Sequence, residues 1–508
     1  MKTENAFYHL TRDSVIAQNT IFNLIGRGIP LVAALFSMPL LISGLGTERF
    51  GILAIAWMFI GYFNLFDFGI GLALTKLVAE KLGSRREAEI SSISWTSLLL
   101  IAILGIFGGL IFALISPWVV YNLLKIPTWL QPETLKTFYL LACTIPFVIS
   151  TSALRGLLIA YQRFGFINVF RSTLGILTYI SPLFILPFYK NLVPVVSVLA
   201  LLRLLTWLSY LLFCLKTVPG LRTSLKVKKK FIRPLLGFGS WIALNNIIDP
   251  FLVYFDRFMI GALLSMTAVA YYVTPYEVVT KLLIISGSLS MVLFPAFATT
   301  FCQNTHRTVD LYDKSIRFIF LILFPVILIT ISLSQQALSL WLGNDFAINS
   351  FNVLQWLAFA VFLNSFAYIP SILLQSLGRP DIPTKLHIIE LPIYLIILWV
   401  MIHILNITGA SIAWTIRVFL DMLILFIFAK KKLPDSVLLA QKKILIFSIS
   451  LLVLLIAMIP FTITGKIVFL ILVFNAYFLI AWFMILLPKE RNYLLNKMKN
   501  ISLKLRFI

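Results

Sequence analysis

Six acids and five bases fall inside long apolar stretches of this 508-residue sequence, where a central charge costs at least ~2.5 kcal/mol. The acids are Asp67, Asp249, Asp256, Glu277, Glu390 and Asp421, and the bases are Arg27, Arg203, Arg257, Lys281 and Arg417. Carboxylates at such depth can gate a path or couple it to a proton or sodium gradient, and arginines can hold an anion. Asn245, Asp249 and Asp256 stand at i, i+4 and i+11, within about 40° on a helical wheel, on a face bent near Pro250. Glu277 and Lys281 are at i, i+4, with Ser288 seven further on, and Arg417 and Asp421 repeat the spacing. Such a pair is either an internal neutralising pair, most clearly Glu277 with Lys281, or a set of substrate ligands. Asp256 and Arg257 are neighbours pointing about 100° apart, which suits a gate or an interhelical pair.

Arg27 and Arg203 have no acid on their own spans. Each needs an anion, either an acid from another helix or a ligand. Glu390 lies a few residues from a helix end, close enough to snorkel. Asp67 shares a helix face with Asn64 and Gly71 and is a gating or coupling candidate, with Arg27 as a conceivable partner.

These residues need membrane helices to position them. The sequence is 60% hydrophobic and 12% charged, with mean hydropathy +0.99, as in a polytopic membrane protein. Fourteen spans are expected, at roughly 19–42, 50–74, 92–115, 134–158, 166–188, 193–215, 235–264, 268–297, 316–340, 351–377, 386–405, 410–428, 444–463 and 467–487. The fold class is therefore all-α.

Lys and Arg number 32 on the side of the termini, counting those near span ends, and 5 on the other side. This bias predicts cytoplasmic termini. It also accounts for the net charge of +23 without nucleic acid, since no solvated basic domain is present. The longest weakly hydrophobic interval, Lys216 to Arg233, holds seven Lys or Arg. Three scattered cysteines form no CxxC pair and offer no metal or disulfide framework. The first fourteen residues do not read as a signal peptide. No Walker A pattern occurs and the outer loops are short, so neither direct ATP use nor an external catalytic domain is expected, and no cofactor or metal. The basic tail mixes Lys and Arg with Leu, Met and Ile, as either a leaflet-binding segment or a solvated topology signal.

The fourth and tenth spans end alike, superposing Arg163 on Arg379, and Gly-x-Gly opens the first and seventh spans at Gly26 and Gly237. These matches support two six-helix bundles, 1–215 and 235–430, joined by a basic cytoplasmic linker, 216–234. Two further helices and the tail occupy 431–508.

The stretches NLIGRGIPLVAALFSMPLLISGLGTERFGILA, NLFDFGIGLALTKLVAEKLG and YFDRFMIGALLS resemble those of the polysaccharide flippases that export O-antigen or capsule units. These belong to the multidrug/oligosaccharidyl-lipid/polysaccharide exporter superfamily. The resemblance implies two bundles around a central cavity, alternating access, and a substrate of undecaprenyl diphosphate carrying a short oligosaccharide. It also implies cavity cations, for which Arg27 and Arg203 are the candidates. Independently, sugar hydroxyls crossing hydrocarbon need a polar path, and a diphosphate favours arginines along it. Expected partners are the lipid-linked oligosaccharide, membrane lipids, H+ or Na+, and polysaccharide polymerase machinery. The alternatives are an ion-coupled drug or metabolite antiporter of the same superfamily, a peptidoglycan-precursor flippase, and a membrane polymerase or glycosyltransferase. No enzymatic activity is expected.

Overall fold

The computed structural model describes residues 32–63, 69–83, 89–161, 163–218, 220–222, 226–238, 240–303, 305–433, 441–459, 462–486 and 491. Among them every regular element is helical. In chain order these are α1 (Val32–Leu45), α2 (Thr47–Phe63), α3 (Ile70–Gly83), α4 (Ile90–Trp118), α5 (Gln131–Ala160), α6 (Phe164–Ile185), α7 (Leu192–Thr217) and the short α8 (Ile232–Phe238). There follow α9 (Ser240–Leu263), α10 (Met266–Val279), α11 (Ile284–Gln303), α12 (Thr305–Ser332), α13 (Ser334–Leu342), α14 (Asn344–Ser376), α15 (Asp381–Lys432), α16 (Gln441–Ile456) and α17 (Ile463–Ile480). Among the described residues, eight helical stretches are long and apolar enough to cross a membrane, and α1 and α16 are shorter apolar helices. Lipid supplies no hydrogen bonds, so a spanning backbone must satisfy its own, which helices do.

Local chemistry sets several ends. Asn191 accepts from the Val193 backbone N–H to open α7, Ser265 from Ala268 to open α10, and Thr462 from Gly465 to open α17. The eighth expected span is interrupted. Pro275 lies inside α10, and a 3-10 turn at Thr280–Leu283 separates α10 from α11. In α15 two limbs meet without an intervening loop at Asn406, whose φ of 54° is uncommon outside glycine but tolerated by asparagine. Gly409 then packs so closely that a Cβ would lie 1.9 Å from the Met401 carbonyl oxygen.

Chain contacts divide the protein into two units. One comprises residues 17–284 and 379–421. Its core includes Ile70, Leu74, Ile93, Leu154, Tyr210 and Cys214, contributed by α3, α4, α5 and α7. Here α2 meets α10 at backbone distance, since a Cβ on Gly51 would lie 2.0 Å from the Met266 carbonyl oxygen. Next to this contact, Lys125 uses its backbone N–H to reach the Gly261 carbonyl at 2.9 Å and its ammonium group to reach the Leu263 carbonyl. Glu133 forks onto Arg49 at 3.0 Å and accepts the Leu192 backbone N–H at 2.6 Å, which ties together the starts of α2, α5 and α7.

The basic segment before α8 lies against the start of α4. Trp95 Nε1 donates to the Leu221 carbonyl at 3.0 Å, Ser91 Oγ to Gly220 at 3.1 Å, and the Lys228 backbone N–H to Thr96 Oγ1 at 3.1 Å. Lys81 and Lys230 both reach Glu89 at 2.6 Å.

The other unit comprises residues 1–16, 285–378 and 422–508. Its described interior is aromatic: Phe324 stacks on Tyr477 of α17 at 5.4 Å, and Phe366 meets Phe447 of α16 edge-on at 5.1 Å. The Tyr477 hydroxyl donates to the Leu321 carbonyl at 2.6 Å. Outward faces of several helices remain apolar, with Phe107, Leu114, Leu204, Leu472 and Phe478 exposed, as hydrocarbon contact requires.

Candidate functional site

The charged groups of interest lie in the unit formed by residues 17–284 and 379–421. On α9, Asp256 and Arg257 are 1% and 2% exposed and diverge as adjacent helical residues must. The Asp256 carboxylate accepts from the Tyr272 hydroxyl of α10 and, at 2.7 Å, from the Arg257 backbone N–H. The Arg257 guanidinium instead donates to Glu277 Oε1 at 3.0 Å, while Glu277 Oε2 accepts from Lys281 at 3.0 Å. It also lies over the Tyr276 and Tyr254 rings, 4.4 and 5.1 Å from their centroids. Glu277 is therefore shared by an interhelical and an intrahelical cation. Side-chain exposure rises from 2% at Arg257 to 16% at Glu277 and 35% at Lys281, so the network runs from the interior to an accessible end. Tyr179 of α6 lies within electrostatic reach of Glu277, Lys281 and Arg257, and meets Trp57 of α2 edge-on.

The two limbs of α15 carry a second group. The i, i+4 spacing of Arg417 and Asp421 does not by itself give their nearest charges. Arg417 Nε lies 3.6 Å from Glu390 Oε2 on the other limb, and its Nη1 donates to the Leu252 carbonyl of α9 at 3.1 Å. Asp421 Oδ1 faces His387 Nε2 at 3.9 Å. Glu390 is only 7% exposed. Instead of snorkelling it turns toward the facing limb, because the fold-back at Asn406 sets a guanidinium opposite it.

Arg203 lies on α7 and is half-buried, and no ion pair or hydrogen bond reaches it among the described residues. Two other arginines share this situation and were not among the expected cavity cations. The charge count assigns Arg155 and Arg171 to a cytoplasmic loop although the expected spans 134–158 and 166–188 contain them, and both sit inside helices, in α5 ending at Ala160 and α6 beginning at Phe164. Both are exposed, and both guanidinium groups act electrostatically on Tyr210 of α7. Tyr210 follows Arg203 by seven residues and so shares its helix face. Assigning each arginine to its helix, five residues before an end or seven after a start, is the signal that finds them. Arg27 and Asp67 lie outside the described residues, as do the side chains of Asn245 and Asp249, whose backbone runs in α9.

Arginines without acids suit an anion, and the buried acid–base groups suit a helix assembly whose interior must stay polar. The sequence profile described as "Polysaccharide biosynthesis protein" matches residues 16–301, over half of the chain. The chain belongs to this family. A polysaccharide biosynthesis relative, the "Putative O-antigen transporter" of Shigella flexneri, is 32% identical over 417 residues, covering 81% of this chain and 96% of that protein. The fold is shared with solved transporters. An inward-facing multidrug resistance MATE transporter superposes with a TM-score of 0.66 at 15% identity, covering 82% of this chain and 99% of the other. A MOP transporter from Pyrococcus furiosus gives 0.58 at 15% identity, covering 84% and 98%. This member of the polysaccharide biosynthesis family is thus a multi-pass membrane protein built on a transporter fold.

Proposed function

We propose that the protein carries undecaprenyl-diphosphate-linked oligosaccharide repeat units from the cytoplasmic to the outer leaflet of the cytoplasmic membrane, for O-antigen or another surface polysaccharide. The observation that carries this reading is the set Arg155, Arg171 and Arg203, three cations on adjoining helices with no acidic partner among the described residues. A diphosphate brings negative charge that unpaired guanidinium groups bind through forked hydrogen bonds. Family membership and the Shigella relative support the same substrate class.

In this reading the bundles 1–215 and 235–430 rock about the path by alternating access, 431–508 faces lipid, and both termini are cytoplasmic. The delivered units feed a polymerase. A proton or sodium gradient drives the cycle through a membrane carboxylate among Asp67, Asp249, Asp256 and Asp421. Arg257, Glu277 and Lys281 hold the gate between α9 and α10.

A second reading, an ion-coupled small-molecule antiporter, is favoured by the MATE-like fold alone. Unpaired arginines repel cationic drugs, which weighs against that class. Deletion of the gene should leave lipid-linked oligosaccharide on the cytoplasmic leaflet and strip the surface polysaccharide. The wild-type gene should restore it, and the triple variant Arg155→Ala, Arg171→Ala, Arg203→Ala should not. Normal surface polysaccharide in the deletion, with direct efflux of small cations from vesicles, would overturn the proposal.

A further inference from the structure

In the unit formed by residues 17–284 and 379–421, contacts among α2, α6, α9 and α10 close into a ring. Trp57 of α2 meets Tyr179 of α6 edge-on, with ring centroids 5.3 Å apart. Gly61 stands one turn after Trp57 on the same face of α2, and a Cβ there would lie 2.9 Å from the Tyr254 hydroxyl of α9. The Arg257 guanidinium lies 5.1 Å from the centroid of the Tyr254 ring and donates to Glu277 of α10 at 3.0 Å. Glu277 holds Lys281 at 3.0 Å, and both lie within electrostatic reach of Tyr179, where the ring closes.

Several polar groups around this ring are unspent. Among the described residues, neither the Tyr179 nor the Tyr254 hydroxyl makes a hydrogen bond, and neither oxygen is sealed from solvent. The Trp57 indole N–H is buried without an acceptor. Lys281 uses one of its three donors on Glu277. Trp57, Tyr179 and Tyr254 are half-buried, and side-chain exposure is 16% at Glu277 and 35% at Lys281, so the ring has an open side. An ion pair opening onto hydrocarbon would be costly, and the open side therefore faces a polar path.

Flat aromatic faces beside free hydroxyl, N–H and ammonium groups match a sugar ring, whose C–H face is apolar and whose hydroxyls each donate and accept. We propose that Trp57, Tyr179, Tyr254 and Lys281 form a subsite for sugar rings, with Glu277 as the positioning residue that fixes Lys281. The identity of the sugar rests on the export reading, in which it is part of the exported unit. Tyr179 follows Arg171 by eight residues on α6, ~12 Å along the helix axis. The sugars of a diphosphate-linked chain bridge that step while the phosphates stay with Arg155 and Arg171. The two ends of the substrate are then read by different chemistry. The arginines read charge, whereas the phenols, able to donate or accept, read where hydroxyls stand. A site built to hydrogen-bond a substrate hydroxyl strongly rejects an analogue that lacks it, so this subsite discriminates among repeat units of equal charge.

The test offers the purified full chain in detergent two probes, oligosaccharides released by partial acid hydrolysis of the host's surface polysaccharide and inorganic pyrophosphate. Saturation-transfer NMR reads the sugar and phosphorus NMR reads the pyrophosphate. Tyr179→Phe with Tyr254→Phe keeps both rings, and should weaken sugar binding about tenfold with pyrophosphate binding unchanged. Arg155→Ala with Arg171→Ala should do the reverse. Irradiating the aromatic protons of the wild type should transfer magnetisation to sugar C–H protons, a measurement that stands even if a variant misfolds. A wild type that shows no such transfer, or sugar binding unchanged in the phenylalanine pair, would overturn the subsite and leave the export reading in place. That reading falls separately, if the deletion strain keeps its surface polysaccharide.

Discussion

Arg257 bypasses its sequence neighbour Asp256 and pairs with Glu277, twenty residues later on α10, at 3.0 Å. The guanidinium is buried against the Tyr276 and Tyr254 rings, so the pair is both an electrostatic and a packing link between α9 and α10.

Arg257→Ala should therefore destabilise the protein by about 3–5 kcal/mol, since it leaves Glu277 with Lys281 as its one ammonium partner and empties a packed space. Arg257→Lys should recover little of this, because an ammonium group neither forks nor stacks like the planar guanidinium. Thermal unfolding of the purified protein in detergent, followed by tryptophan fluorescence, reads both. Near-wild-type stability of Arg257→Ala would show that the pair contributes nothing.

Arg155, Arg171 and Arg203 should behave as one anion-binding set. Each contact to a charged group is worth about 1.5–3 kcal/mol, so each single Ala variant should lower export about 10- to 100-fold. Lys should be better tolerated than Ala, and Glu worst of all. Surface polysaccharide on a deletion strain carrying each variant gives the ranking.

Gly51→Ala should cost about 1–3 kcal/mol. The added methyl group would meet the Met266 carbonyl oxygen at 2.0 Å, and a backbone atom cannot move aside as a side-chain tip can. Gly165→Ala, where a Cβ meets nothing within 4 Å, is the control, and an unchanged melting temperature in Gly51→Ala would contradict this mechanism. The expected result is loss confined to the Gly51 variant.

Glu89 carries a pH dependence outside the membrane. Hydrogen bonds from Lys230 and then Lys81 hold its carboxyl at about 2, below the ordinary 4.5. A depressed folded value means the contact stabilises above pH 4.5 and is lost as pH falls from there through about 2. Hydrogen exchange at Lys226–Phe231, corrected for intrinsic rates, should rise across that window in the wild type. In Glu89→Gln it should already be raised at pH 7 and should show no step.

The apolar helices were legible because hydropathy over some twenty residues is a property of the chain alone. Charge partners were not, because they depend on how helices return on one another. Glu390 and Arg417 are twenty-seven residues apart and meet only through the turn at Asn406. Local spacing could propose Glu277 with Lys281, which form a 3.0 Å contact, but not the Arg257 that shares the same carboxylate. Arg155 and Arg171 escaped notice for a different reason. Each already falls within an expected span, 134–158 or 166–188, but so near its end that a sidedness count assigns it to water.

The loopless turn of α15 has a mechanical meaning. Glu390 stands sixteen residues before Asn406, ~24 Å along the limb, so the two limbs act as the arms of a pair of tweezers held at one end. Rotation of only ~5° at the Asn406 pivot would part the tips by ~2 Å, which is enough to break every contact between Glu390 and Arg417. With Gly409 seated against Met401, there is no slack at the pivot to absorb the motion. A displacement at the tips would therefore be delivered to the whole arm.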